Sequence, residues 1–480
     1  MKKILALLLV FVLVAVVLGA CARPVEDPVD DPVEEPVEEP VEEPVEDPAD
    51  EPAEEPAEKV TITYANWALG APEADTLARR MVKAFNEAHP HIEVVIDEAI
   101  DYSQYEESLT AAAAAGTLPD VMMMAHIPFG LQNDWLLDIS EFTQRDDEWA
   151  NIPKPLADAT RFGRGIFAVP TGMFFMGYFV NDDLFEEYNV PALNFSPTID
   201  EFSSAIRALT RPADGIIGLA EENQIVEWYP SAVNNAFGWF AWDGERFNLN
   251  TPEFIQGVNF AREIFQNRLT FDSLTEEQRA EYGVGWFGEV WDQGKIAVRW
   301  DGTWATSAFA QREFNNRFIG VPGGRTIIVP DFLVLSNASN NPEAAYEFAR
   351  WISFAREGIM KAMELGRPDG SFTSLPVTTD EEVLNEYFEH FAYPGIRDAF
   401  DAIDRGVVEG VKFVPGYVRS RWAAPTGIKV GDNDNASMGD VIWNAVRGDI
   451  RIEDHIEQID KLANDEHIRA LEIIEGLLGN

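Results

Sequence analysis

The stretch GIFAVPTGMFFMGYFVNDDLFEEYNVP, residues 165–191, lies near the start of the second third of a 480-residue chain. It holds two apolar runs, GIFAVP and GMFFMGYFV, whose aromatic and β-branched content reads as strand. Upstream, Val60 to Tyr64 alternates as a strand does, and a helix follows with Leu77, Met81, Phe85 and Ala88 on one face until Pro90 ends it. HIEVVID, residues 91–97, alternates again, a helix from Tyr105 to Ala115 stops at Gly116, and LPDVMMM reads as a buried strand. Strand, helix, strand, helix, strand is the α/β order with a parallel sheet.

The pattern recurs downstream. Thr198-Ile-Asp-Glu201 is a capping box opening a helix with Phe202, Ile206 and Leu209 on one face. GKIAVRW (294–300) and RTIIVPDFLVLS (325–336) read as strands, Asn341-Pro-Glu343 opens a helix, and the last 30 residues from Arg451 read helical. No internal repeat occurs outside residues 24–56.

The N-terminus is of another kind. Lys2 and Lys3 precede the apolar run Ile4 to Leu18, the pattern of a secretory signal peptide and too short to span a membrane. Leu18-Gly19-Ala20-Cys21 ends it, and Cys21 is the only cysteine, so no intrachain disulfide can form. From Pro24 to Pro56 a proline stands at every fourth position with acids between, a composition expected to stay extended and disordered. Leu-Gly-Ala-Cys resembles the lipobox of bacterial lipoproteins. That implies an acylated Cys21, a lipid anchor on the membrane and a tether carrying the globular part. A cleaved secretory signal with a chance cysteine, or a retained anchor helix, is the alternative.

The chain carries −47. Seventeen acids lie between Glu26 and Glu58, and Lys2, Lys3, Arg23 and Lys59 lie outside the globular part. Residues 60–480 therefore hold 66 acids (83 − 17) against 32 bases (36 − 4), a charge of −34. Such a surface repels nucleic acid and anionic membranes. With only 10 lysines in the whole chain, its surface also suits saline surroundings. The length beyond residue 59 suggests two domains.

Six phrases in order resemble the family 1 extracellular solute-binding proteins of ABC transporters, the maltose-binding-protein group. They are FNEAHPHIEVVI, YEESLTAAAAAGTLPDVMM, the 165–191 stretch, SPTIDEF, WDQGKIAVRWDGTW and NNPEAAYEFARWI. The resemblance implies a two-lobed, type II-like periplasmic-binding-protein fold of class α/β, with hinge crossings and a disordered tether before it. Its expected parts are a signal peptide (1–20), lipidated Cys21 with the tether (21–59), lobe 1 (60–172 plus 333–373) and lobe 2 (173–332 plus 374–480). Crossings are expected near Thr171–Met176, Asp331–Val334 and Phe372–Pro376. It further implies a sugar or oligosaccharide ligand, an ABC permease as partner, an extracytoplasmic location, a monomer and no cofactor or metal.

In WDGTW, Trp304 matches the family's sugar-stacking tryptophan, and Asp301 beside it can accept hydroxyl hydrogen bonds. An indole suits the apolar C–H face of a pyranose. Trp67 follows the first strand, where ligands of open α/β sheets bind. Trp228 and Tyr229 fall at the family's aromatic lip, Trp286 precedes WDQGK, and Phe174 lies in the first crossing. Core packing is the alternative for each ring. His126 matches a family histidine, whereas Met124, Ile127, Pro128, Phe174 and Asn435 depart from the maltose-contacting set. The hydroxyl-binding set of maltose is thus not reproduced, a carbohydrate stays the expected ligand, and Glu73, Glu227, Asn234 and Asn235 are candidate replacements.

Other motifs fail. GEVWDQGK (288–295) has five residues between its glycines where a P-loop has four, and Ile296 in place of Ser/Thr. Asp432-Asn-Asp434-Asn lacks the rest of a calcium loop, and His89-Pro-His91 has no partner ligands in sequence. No Gly-x-Ser-x-Gly occurs. Three classes remain: a sugar receptor without catalysis, or one for another polar solute such as glycerol phosphate; a surface glycoside hydrolase; and an adhesive lipoprotein.

Overall fold

A computed structural model describes residues 59–391 and 393–479. The expected signal peptide, Cys21 and nearly all of the acidic tether lie outside them. Eleven strands occur in the described residues. They are β1 (Val60–Ala65), β2 (Ile92–Ile96), β3 (Val121–Met124), β4 (Arg161–Phe162), β5 (Gly165–Ile166), β6 (Val169–Asn181), β7 (Ile217–Leu219), β8 (Ile296–Gly302), β9 (Asn316–Gly320), β10 (Ile327–Leu335) and β11 (Val407–Val408). β4 and β5 pair only with each other. The rest form one sheet in the order β2-β1-β3-β10-β6-β8-β7, with β9 on the far half of β6 and β11 on the start of β10.

The two runs of the 165–191 stretch differ from the two strands expected. Only Gly165–Ile166 of the first run forms the short β5, and from Val169 the chain is one continuous 13-residue strand through Pro170. Proline cannot donate a ladder hydrogen bond. The register of β10 against β6 shifts between Asp331 and Phe332, opposite this segment, and the bulge accommodates Pro170.

Strand directions then create a cleft. β1, β2 and β3 are parallel, and β6 runs the same way because both β3 and β6 are antiparallel to β10. β7 and β8 run the opposite way, β8 being antiparallel to β6. The C-terminal end of β3 lies level with Pro170 of β6, since Met124 and Pro170 both pair Phe332. The C-terminal end of β8 lies level with Met176, which pairs Gly302. The C-terminal edges of the two half-sheets therefore face each other across six residues of β6, about 20 Å of strand. Their floor is β6 and β10, and a third segment joins them where Leu375 bridges Met173. These connections make two α/β lobes with hinge strands between.

The helices follow their apolar stripes. Leu77–Ala88 buries Met81, Val82 and Phe85 and is capped by Thr76; Ile199–Leu209 begins at the capping box of Thr198 and Glu201. Pro342–Ser353 starts at Asn341 without a side-chain cap, and the final helix runs Ile456–Leu478 after a short turn. One hydrophobic core joins Ile62, Phe85, Met122, Phe332, Phe348 and Trp351 of the first lobe. A second, in the other lobe, centres on Tyr178, Trp228, Phe240, Phe254 and Tyr417.

Candidate functional site

The cleft begins at the strand ends. After β8 the chain turns at Gly302 into a short helical turn, Thr303–Ala305, which carries Trp304. The Trp304 indole lies over Gly302. A Cβ there would meet three ring carbons at 2.3–2.4 Å, so only glycine admits this pose. The ring is 42% exposed and packs edge-on against Phe174 of the hinge strand, centroids 5.6 Å apart at 71°. Phe174 pairs Val329 in the β6–β10 ladder, which puts both on the floor.

Asp301 is less free than its sequence position suggests. Arg299 Nη2 donates to its Oδ2 at 2.6 Å, and the Gly302 N–H donates to Oδ1 at 2.8 Å. It fixes the strand end ahead of Trp304. Arg299 is buried beneath the rings of Phe309, Trp286 and Phe287, 4.8–5.7 Å from their centroids. This cation–π nest holds Trp286 in place while leaving it 48% exposed.

On the first lobe, the Tyr105 hydroxyl donates to the Ala65 carbonyl at 2.9 Å and accepts from the Met123 N–H at 3.1 Å, tying the ends of β1 and β3 together. Trp67, half-buried, stands edge-on to Tyr105 at 5.4 Å. His126 follows β3, and its Nδ1 lies 3.1 Å from the Val411 carbonyl beyond β11. Burial lowers its pKa, and Glu106, 4.0 Å from Nε2, opposes that. Glu73 is exposed on the loop before the first helix.

Several expected site residues stand elsewhere. Trp228 is fully buried, because it lies on the inward face of helix Ile225–Val233; its indole N–H donates to the Tyr178 hydroxyl at 3.1 Å. It belongs to the core and not to an aromatic lip. Tyr229 packs beside Gly257 and Phe260. Glu227 is buried and committed, accepting from Arg421 at 2.9 Å and from the Tyr417 hydroxyl at 3.0 Å. Asn435 accepts from the Gly427 N–H at 2.6 Å and braces its own loop. Asn234 binds Glu253, and Asn235 meets Arg325.

Other groups had not been expected. Beyond β7 come Glu221, Glu222, Asn223 and Gln224, beside the end of β8 because β7 and β8 are parallel and Ala220 N–H donates to the Val298 carbonyl. Burial pushes the Glu221 carboxyl up to about 7, with Asp272 and Asp301 adding to the rise and Gln224 and Arg299 opposing it. The sequence signal was the acid pair closing the apolar run Ile216–Ala220. Trp422, 53% exposed, stands on a π-helical turn, Arg419–Ala423, whose Arg421 is the one held by Glu227. At the hinge, Lys412 Nζ reaches Asp331 at 3.5 Å, and burial pushes the Glu409 carboxyl up to about 7 near both.

This geometry is a polar, aromatic-walled cleft over hinge strands. The description "bacterial extracellular solute-binding protein" matches residues 70–357, more than half of the chain. The chain belongs to that family. Three solved structures of similar fold share it over nearly their whole length. A substrate-binding protein from Listeria monocytogenes in complex with cycloalternan is 19% identical, with TM-score 0.61 over 88% of this chain and 99% of its own. A solute-binding protein from Thermotoga lettingae bound with α-D-tagatose is 15% identical, TM-score 0.60, over 87% and 100%. The sugar-binding protein MalE from Xanthomonas citri is 16% identical, TM-score 0.60, over 87% and 98%. Family membership sets the protein outside the cytoplasm, and among the described residues no helix is long and apolar enough to cross a membrane.

Proposed function

We propose that the protein is the receptor of an ABC importer, capturing a sugar or oligosaccharide between its lobes and handing it to a permease. The observation that carries this reading is Trp304: an indole 42% exposed at the strand end, with glycine beneath it and Phe174 against its edge. A flat, polarisable ring held open to solvent suits the C–H face of a pyranose. Trp67, Trp286 and Trp422 supply further rings, and Glu221 and His126 supply hydroxyl partners. Similar folds in complex with cycloalternan and with tagatose support a carbohydrate. The lobes are 60–172 with 333–373 and 173–332 with 374–480, closing by rotation about β6, β10 and the Leu375 segment. Binding needs no covalent chemistry.

Cys21 is the lipid attachment point in this reading, and the acidic ribbon is the tether. The test is a thermal shift of the protein against mono- and oligosaccharides, with phosphates and amino acids beside them. A ligand at a hundred times its dissociation constant adds about 2.7 kcal/mol. A rise confined to one sugar class is expected. A rise with phosphates or amino acids alone would retain a receptor and remove the carbohydrate.

A further inference from the structure

The floor of the cleft carries more acid than base, at both of its ends. Across it the strands lie in the order β11-β10-β6-β8-β7, with Glu409 just beyond β11 and Glu221 just beyond β7. Neighbouring strands are about 4.8 Å apart, so the two glutamates stand four spacings, or about 19 Å of sheet, from each other. Phe174 of β6 and Trp304, just past β8, lie between them. Asp331 pairs Gly172, two residues from Phe174, and so shares its face of the sheet; Lys412 Nζ reaches Asp331 at 3.5 Å and sets the Glu409 end on the same face.

The bases beside these acids are already taken. At the Glu221 end the charged neighbours are Asp272, Asp301 and Arg299, and Arg299 donates to Asp301 at 2.6 Å. At the Glu409 end they are Lys412, Asp331 and Glu227; Lys412 pairs with Asp331, and Arg421 holds Glu227 at 2.9 Å. Once those pairs are made, Glu221, Asp272 and Glu409 have no salt bridge among the described residues. Burying an unmatched carboxylate is costly, and burial drives both glutamates towards the protonated form. A neutral solute would exclude water from these acids and give them no partner. A solute bearing ammonium groups would supply one, and the open face of Trp304 attracts a cation as well as a sugar ring.

Resting on the receptor reading above, we propose that the solute is an oligosaccharide of amino sugars, held by ammonium groups on Glu221 and Glu409 at the two ends of the floor and by a ring on Trp304 between them. One small cation cannot meet both glutamates across that width, whereas a chain of rings can. Asp272 adds its field at the Glu221 end. Glu222, fully buried, takes no part.

The test is calorimetric titration of the protein with short β-1,4-linked glucosamine oligomers, with their N-acetylated counterparts, and with glucose oligomers of the same length and linkage. The glucosamine oligomers should bind at least tenfold tighter than either uncharged set at neutral pH. Their affinity should fall about tenfold or more between about pH 7 and about pH 5.5, because glutamates raised to about 7 take up protons that an ammonium group must displace. The uncharged oligomers should show no such fall. Glu221→Gln and Glu409→Gln should each narrow the gap between charged and uncharged oligomers at least fivefold; a merely structural role would weaken both alike. Equal or tighter binding of the uncharged oligomers would overturn the amino sugar and leave the sugar receptor standing. Binding of none of the three, with a rise in Tm on phosphates or amino acids, would overturn the amino sugar together with the sugar reading itself.

Discussion

Gly302→Ala moves the stacking ring without removing it. The new Cβ would stand 2.3 Å from Trp304 Cη2 and Cζ3, where carbon pairs rest at about 3.5–4.0 Å. The ring must therefore shift by more than about 1 Å. Gly302 has extended backbone angles (φ −102°, ψ 163°) that alanine tolerates, so the strand itself is not strained. Being 42% exposed, the indole can swing outward, and what it loses is its edge contact with Phe174. Such a pair is worth about 0.5–1.5 kcal/mol, so Tm should fall by only about 1–2 °C in a protein of this size. Solute binding should suffer far more. A central aromatic anchor carries about 2 kcal/mol or more, so affinity should drop about 30-fold or beyond by calorimetry. Trp304→Ala should match it, and the double variant should add little, since both remove one interaction. Normal affinity in Gly302→Ala with a loss in Trp304→Ala would refute the ring pose. Normal affinity in both would refute the ring as platform.

Further outcomes follow from the same structure. Arg421→Ala leaves Glu227 buried and unpaired beside Tyr417, and should cost about 3–5 kcal/mol in denaturant unfolding, most of it recovered by adding Glu227→Gln. Glu409, with Lys412, Asp331 and Glu227 as its charged neighbours, has a folded-state pKa raised to about 7 from 4.5. Between those values the folded state holds the proton that the unfolded state releases, so this group's stabilisation is full below about pH 4.5 and is lost as pH rises towards about 7. Glu409→Gln should flatten the fall of Tm over that window and raise Tm at pH 8; an unchanged profile would count against a buried carboxyl there. Cys21→Ser should move the protein from the membrane to the soluble fraction in cells, and retention on the membrane would remove the lipid anchor.

What the sequence showed and hid has physical reasons. The long strand of residues 169–181 and its partner 327–335 were legible because both hinge strands are buried on two faces and so read as unbroken apolar runs. Where one strand ends and another begins was not, since Pro170 is admitted by a bulge in the partner that no local pattern announces. Gly302-x-Trp304 was legible because the glycine and the ring it supports are two residues apart. Trp228 was misplaced because the family's lip position was carried over to it: its neighbour Tyr229 is half-buried, and helix rotation decides which of two adjacent rings turns inward. Arg299 and Glu222 were missed because their settings are assembled from distant segments. The arginine is nested by Trp286, Phe287 and Phe309, and the glutamate meets Thr270, some 50 residues away in sequence.

A cavity of about 800 Å³ elsewhere, walled by Trp239, Trp242, Phe237, Phe413 and Arg325, offers a ligand a rival aromatic site. The decisive measurement is therefore a crystal structure of the protein with the sugar that most raises its Tm. A ring of that sugar should stack on Trp304, between the ends of β1 and β3 and those of β7 and β8. Sugar density beside Trp239 and Trp242, with Trp304 left bare, would contradict it.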